Sequence, residues 1–247
     1  MNDLKKYEDF RNEILKRNVF SFESISEYQK RINTDISEEE ADILGNKILE
    51  VITNKSYRKL DNTNTVCDIE KLILAGANLD VRRENGETAF IYSVKKGYYI
   101  TFATLAMAGA KVNAQSSFLS TALMWASRYG YIEIVEDLIL LGANLDMQCS
   151  DGDTALHSAA IHNQYDVIKL LIESGCIINL KNLKGKEPIN EVMERNPVDG
   201  EHIINLIKSF LIKENQIPET IFTENYLQSE LSQAKDRLDS IKKRVRK

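Results

Sequence analysis

The residues best suited to chemistry lie between Cys149 and Cys176, where His157 and His162 account for two of the three histidines in the chain. Thiolate sulfur and imidazole nitrogen are the donors of tetrahedral zinc sites, which need ligands converging at about 2.0–2.3 Å. His157 beside Ser158 also raises the question of a base next to a nucleophile. The spacing argues against both. Five residues apart on a helix, the two imidazoles point about 140° away from each other, and sequence neighbours such as His157 and Ser158 do not face one another. No G-x-S-x-G, Walker, H-E-x-x-H or kinase signature occurs. The sequence therefore predicts no catalytic residue, no cofactor site and no metal ligand.

What positions these residues is a repeat. Thr88, Thr121 and Thr154 are spaced by 33, and so are Gly76, Gly109, Gly142 and Gly175. The segments beginning at those glycines read GANLD, GAKVN, GANLD and GCIIN, and the internal copies NGETAFIYSV, FLSTALMWAS and DGDTALHSAA align on the threonines. Each Thr is suited to cap a short helix. Gly97 and Gly130 break that helix, and a second amphipathic helix follows, clearest in YIEIVEDLILLGA. There Ile132, Val135, Leu138 and Ile139 form the apolar stripe, with Glu133, Glu136 and Asp137 between them. Gly86, Gly152 and Gly185 fall at the tip of a connecting hairpin that needs positive φ. Nine of the eleven glycines thus punctuate a period, and none needs a phosphate-loop explanation.

A helix–turn–helix with a projecting β-turn, repeated every 33 residues, resembles the ankyrin repeat, whose pattern is roughly D-x-x-G-x-T-P-L-H-x-A-A-x-x-G. The resemblance covers about residues 37–213. It implies an all-α solenoid: a degenerate repeat at 37–80, repeats at 84–113, 117–146 and 150–179, and a C-terminal capping repeat at 183–213. EEEADILGNKILEVI is expected as the first helix of the degenerate repeat, with NKSYRKLDNTNT as an enlarged loop. Three copies have Ala where the family has Pro, and only His157 keeps the family's His. Leu119 replaces the hairpin glycine of the second good copy, so that turn is expected to be distorted. In this register Cys149 is a hairpin residue, Cys176 a small packing residue, and His162 a variable surface residue. The resemblance implies that His157 hydrogen-bonds between hairpin and neighbouring repeats.

Residues 1–36 are expected as an N-terminal helical cap, from helices over 2–17 and 22–32. Residues 214–247 read as a linker and a tail in which Leu227, Leu231, Ala234, Leu238, Ile241 and Val245 make a short heptad stripe, a weak coiled-coil signal ending in KKRVRK. The chain of 247 residues has 43% apolar composition, so most of it should fold. A net charge of −5 gives no general pull toward nucleic acid. Three scattered cysteines make no disulfide framework, which favours a reducing compartment. The charged N-terminus has no apolar core of a secretion signal, and no run reaches the roughly 18 apolar residues of a membrane span.

The expected function is non-enzymatic binding of another protein, as a cytoplasmic monomer, with self-association through the C-terminal helix as the alternative. The resemblance implies contacts on the concave face, from hairpin tips and first helices. The variable columns there are Arg82, Glu84, Asn85, Glu87, Lys95 and Lys96 in the first good copy. In the second they are Gln115, Ser117, Phe118, Ser120, Arg128 and Tyr129. In the third they are Gln148, Ser150, Asp151, Asp153, Ile161 and His162. Phe118 and Tyr129 are the strongest, because exposed aromatics are otherwise unfavourable. Trp125, the single tryptophan, is read as packed at the first-helix surface, with a binding anchor as the sharper alternative. A host-directed effector of an intracellular bacterium, or a regulator of a partner enzyme, are rival functions for the same surface.

Overall fold

The computed structural model describes residues 26, 28–53, 63–195 and 205. The helix expected over 2–17, the second helix of the capping repeat apart from Asn205, and the heptad tail lie outside these. Nine α-helices are present among the described residues: α1 (Glu38–Thr53), α2 (Thr63–Leu74), α3 (Ala89–Lys96), α4 (Tyr99–Met107), α5 (Ala122–Tyr129), α6 (Ile132–Leu140), α7 (Ala155–Ile161), α8 (Tyr165–Glu173) and α9 (Pro188–Arg195). The fold is an all-α repeat stack. Its β character, among the described residues, is a single antiparallel bridge between Arg82 and Thr88 at the base of one hairpin.

Local signals start and stop these helices. The Ser37 hydroxyl accepts from the Glu40 N–H, while the Glu40 carboxylate accepts from the Ser37 N–H at 3.0 Å, a reciprocal cap that opens α1. The Ser37 N–H and the Ser37 hydroxyl, both within reach to donate to the Glu40 carboxylate, hold that carboxyl below its ordinary range. The hydroxyls of Thr88, Thr121 and Thr154 accept from the N–H groups of Ile91, Met124 and His157, each at 3.3 Å. Such caps are worth about 1 kcal/mol apiece. α2 begins at Thr63, so the last residues of the segment expected as loop are helical.

The described chain forms two compact units, with the division running through α5 and α6. The first holds residues up to 126 together with 133–144. In it α1 packs on α2 and α3, α2 on α4, and α3 on α4. Its core is Ile48, Ile52, Ile69, Ile73, Phe90, Ile91, Phe102 and Leu105, with the Phe90 and Phe102 rings 5.4 Å apart. No helix here could bury its apolar stripe alone, which is why the repeats must stack. Gly45, inside α1, marks the closest approach. A Cβ there would overlap the Asn78 carbonyl oxygen and crowd Val81. The residues before α1 run across the ends of second helices: the Asn33 N–H donates to Leu74 O at 2.9 Å, and Gln29 lies against Gly109. Tyr28, in the same stretch, is buried. In the second unit α7 packs on both α8 and α9 around Leu156, Ala159, Val167, Ile168 and Leu171.

α6 departs from the expected stripe, burying Ile134 and Asp137 with Val135 and Leu138 while Ile132 and Ile139 are half-buried. Asp137, expected on the polar side of α6, is only 1% exposed and receives the Tyr99 hydroxyl hydrogen at 2.7 Å. A buried carboxylate must be hydrogen-bonded or it destabilises the fold. Tyr99→Phe is therefore expected to lower stability by about 2 kcal/mol, measured by urea unfolding followed by helical circular dichroism. An unchanged midpoint would show that other contacts suffice to hold Asp137.

Candidate protein-docking surface

The hairpins are assembled from side-chain and backbone rungs. The Arg82 guanidinium donates to Gly86 O at 2.9 Å and also to Gln115 O in the next hairpin. In the second unit the Gln148 amide does the same with Gly152 O at 2.7 Å and Lys181 O at 3.0 Å. Backbone bonds run alongside, from Ser117 N–H to Asn85 O and from Leu183 N–H to Asp151 O, both 3.0 Å. Gly86 and Gly152 sit at φ 73° and 79°, and a Cβ on either would collide with the incoming N–H of Ser117 or Leu183.

Leu119 corrects one expectation. Its turn is not distorted. Leu119 takes φ 57°, the left-handed conformation of its glycine counterparts, and its N–H bonds Ser116 O at 2.9 Å as the Gly86 N–H bonds Arg83 O at 2.8 Å. The Ser116 hydroxyl supports the turn by accepting from Phe118 and Ser120 N–H groups. Keeping an L-residue there costs about 1–2 kcal/mol. The tip exposes two large apolar side chains, Phe118 at 66% and Leu119 at 46%.

The residues behind this tip form a cluster of cations and aromatic rings. Glu87, 3% exposed, is bonded by Lys95 at 2.6 Å and Arg83 at 3.1 Å. Arg83 lies 4.8 Å over the Tyr92 ring and Lys96 5.5 Å over the same ring, while Lys95 lies 4.4 Å over Trp125. Burial pushes the Glu87 carboxyl up. The hydrogen bonds from Lys95 and Asn85 and the charges of Lys95 and Arg83 outweigh it, and its pKa ends below the ordinary 4.5. Trp125 is half-buried in this cluster. Arg83 and Tyr92 lay outside the residues singled out from sequence. Their signal was register: Arg83 and Glu87 face each other across the hairpin base, where Arg83 N–H bonds Glu87 O.

Of the other expected contact residues, Arg82, Glu84, Lys96, Ser117, Arg128, Tyr129, Gln148, Ser150 and Asp151 are exposed. Asn85, Lys95, Gln115, Ser120, Asp153, Ile161 and His162 are half-buried, and Glu87 is buried. Several already serve the scaffold. Gln115 donates to Leu119 O at 2.8 Å, and Asp153 accepts from the Asn182 amide at 2.8 Å. In the second unit Tyr129 stacks at 5.6 Å on Tyr131 and remains 43% exposed.

The histidines have structural partners. His157 is fully buried. Its Nδ1 accepts from the Thr154 N–H at 3.2 Å, and its Nε2 lies 3.1 Å from the Lys186 carbonyl, which can only accept. Nε2 therefore carries the proton, and the ring ties α7 to the following hairpin. His162 Nδ1 bonds Ser158 O at 2.9 Å, closing the end of α7. Cys176 is buried, and burial, with Asp146 adding to it, pushes its thiol up to about 12. Among the described residues no group of three or more His, Cys, Asp and Glu side chains could hold a metal ion.

A family model described as ankyrin repeats (3 copies) matches residues 60–148 and 100–182. The chain belongs to the ankyrin repeat family. No curated protein shows significant similarity to it. Ankyrin repeats are generally protein–protein interaction modules and typically non-enzymatic. In this ankyrin protein the hairpins carry the bonds from one repeat to the next. Among the described residues no helix is long and apolar enough to cross a membrane.

The depressed carboxyl of Glu87 gives a pH signature. Its contribution to stability is full above about pH 4.5 and is lost as the pH falls through the lower folded-state value. Glu87→Gln is expected to destabilise the ankyrin domain by about 1–2 kcal/mol at pH 7. The gap to wild type should close on acidification, as read by thermal melts across a pH series. A gap independent of pH would mean that Glu87 is not charged in the fold.

Proposed function

We propose that this ankyrin protein is a non-enzymatic docking module whose hairpin tips hold a protein partner, with Phe118 and Leu119 as the apolar anchor. The observation that carries the reading is Leu119. The same turn is built with Gly at 86, 152 and 185, all at positive φ. Only at 119 does a bulky side chain occupy it, strained and exposed beside Phe118. Strain of this kind persists where it serves a site, and large exposed apolar side chains mark interaction surfaces. A cytoplasmic adaptor, an effector delivered to a host and a regulator of a partner enzyme are finer forms of this reading, and the captured protein separates them.

The test exploits opposite signs. Leu119→Gly should raise stability by about 0.5–1 kcal/mol, because glycine relieves the left-handed strain and gives part of the gain back as chain entropy. The same variant, and Phe118→Ala, should cut affinity about tenfold or more for a protein captured from extracts of the source organism and identified by mass spectrometry. Leu140→Ala, a control 75% exposed on α6, should leave capture intact. Undiminished capture by Leu119→Gly and Phe118→Ala would overturn the assignment. Loss with Leu140→Ala instead would move the docking surface to the second helices.

A further inference from the structure

In the first unit, the hairpin that bonds the Phe118–Leu119 hairpin also carries a group of cations. One hairpin and the end of α3 carry Arg82, Arg83, Lys95 and Lys96 with Glu84 and Glu87, two positive charges in excess within a chain of net charge −5. Lys96 is exposed, and among the described residues no carboxylate pairs with it. The cations are also fixed in place. Glu87, anchored in the hairpin, holds Lys95 and Arg83, and the rings of Tyr92 and Trp125 lie beneath three ammonium and guanidinium groups. Fixing flexible cations before binding removes much of the entropy loss that binding would otherwise carry.

We infer that this patch grips an acidic segment of the partner, its carboxylates meeting Lys96, Lys95 and Arg83 while its apolar residues meet Phe118 and Leu119. The inference rests on the docking reading above and names its chemistry. A protein segment fits better than a nucleic acid. The Tyr92 and Trp125 rings already carry cations where bases would stack. The buried Glu87 and exposed Glu84 would also repel a dense row of phosphates.

Trp125 is the only tryptophan in the chain, and its ring lies under Lys95, so its fluorescence reports on the patch directly. The experiment titrates the whole chain, at low and at physiological salt, with short synthetic peptides. These share Phe and Leu residues and carry Glu, Gln or Lys at the remaining positions. A single-stranded oligothymidylate is the fourth probe. The Glu peptide should shift Trp125 emission and bind most tightly. Its affinity should fall as salt rises, and Lys96→Glu should weaken it about fivefold or more. Lys96 is exposed and pairs with no carboxylate among the described residues, so its replacement should shift the folding equilibrium no more than about fivefold, or about 1 kcal/mol. Equal affinity for the Glu and Gln peptides, no binding of the Glu peptide, or tighter binding of the oligothymidylate would each overturn the acidic-segment assignment. If the Glu and Gln peptides bind equally and both weaken with Phe118→Ala, the acidic preference fails while the apolar anchor stands. If the Glu peptide binds and only Lys96→Glu weakens it, the patch stands and the anchor fails.

Discussion

The constraint on which the rest depends is the left-handed residue at each hairpin tip. At Gly86 and Gly152 the absence of a Cβ is what lets the next hairpin bring a backbone N–H onto the preceding one. The side-chain rungs from Arg82 and Gln148 then span the same gap. A repeat with two short helices has too little core to fold alone. Its neighbours must therefore be held in register, and hairpin bonds do this within each unit. Where an L-residue takes the left-handed position, as Leu119 does, the turn is conserved in shape and strained in energy. The strained residue then becomes informative about the surface.

The division between scaffold and surface follows from which polar groups are already engaged. Arg82, Gln115, Gln148 and Asp153 have their polar heads in hairpin carbonyls or a neighbouring amide. His157 is engaged at both ring nitrogens. What looked most like chemistry in the sequence is thus the most structural part of the second unit. In the first unit the Phe118–Leu119 tip and Lys96 face outward, with Arg83 and Lys95 half-buried on Glu87 beside the Tyr92 and Trp125 rings. The tip and Arg83 lie on hairpins joined by the Ser117–Asn85 bond, and Lys95 and Lys96 end α3.

Much of this was legible in the sequence because a 33-residue period repeats its own punctuation. The threonine caps, the helix-ending glycines and the hairpin glycines each recur, so one copy interprets another. What was not legible depends on contacts the period does not encode. Asp137 lies among acidic residues on α6, and nothing local says that Tyr99, 38 residues earlier, receives it in the core. Gly45 occurs once, outside the repeating columns, and its reason is the Asn78 carbonyl pressed against it. Asn163 takes the left-handed position that Gly97 and Gly130 fill in earlier copies, at φ 56°. Asparagine tolerates that conformation, but the letter alone did not mark it. For Leu119 the identity was plain and the backbone was not. Substitution for glycine pointed to a distorted turn, whereas Ser116 and the preceding hairpin hold the turn in its usual shape. In the candidate surface, most exposed positions were foreseen from their columns. The pairing of Glu87 with Arg83 and Lys95 was not, because it joins a hairpin base to a helix end.

The most direct measurement of the central claim is residue-resolved amide hydrogen exchange on the free protein. If hairpin rungs hold the stack in register, the Ser117 and Leu183 amides will exchange slowly, with protection comparable to amides inside α3 and α7. Exchange of both at the rate of an open surface loop would contradict the account, since the hairpins would then be ornaments on helices held by other means.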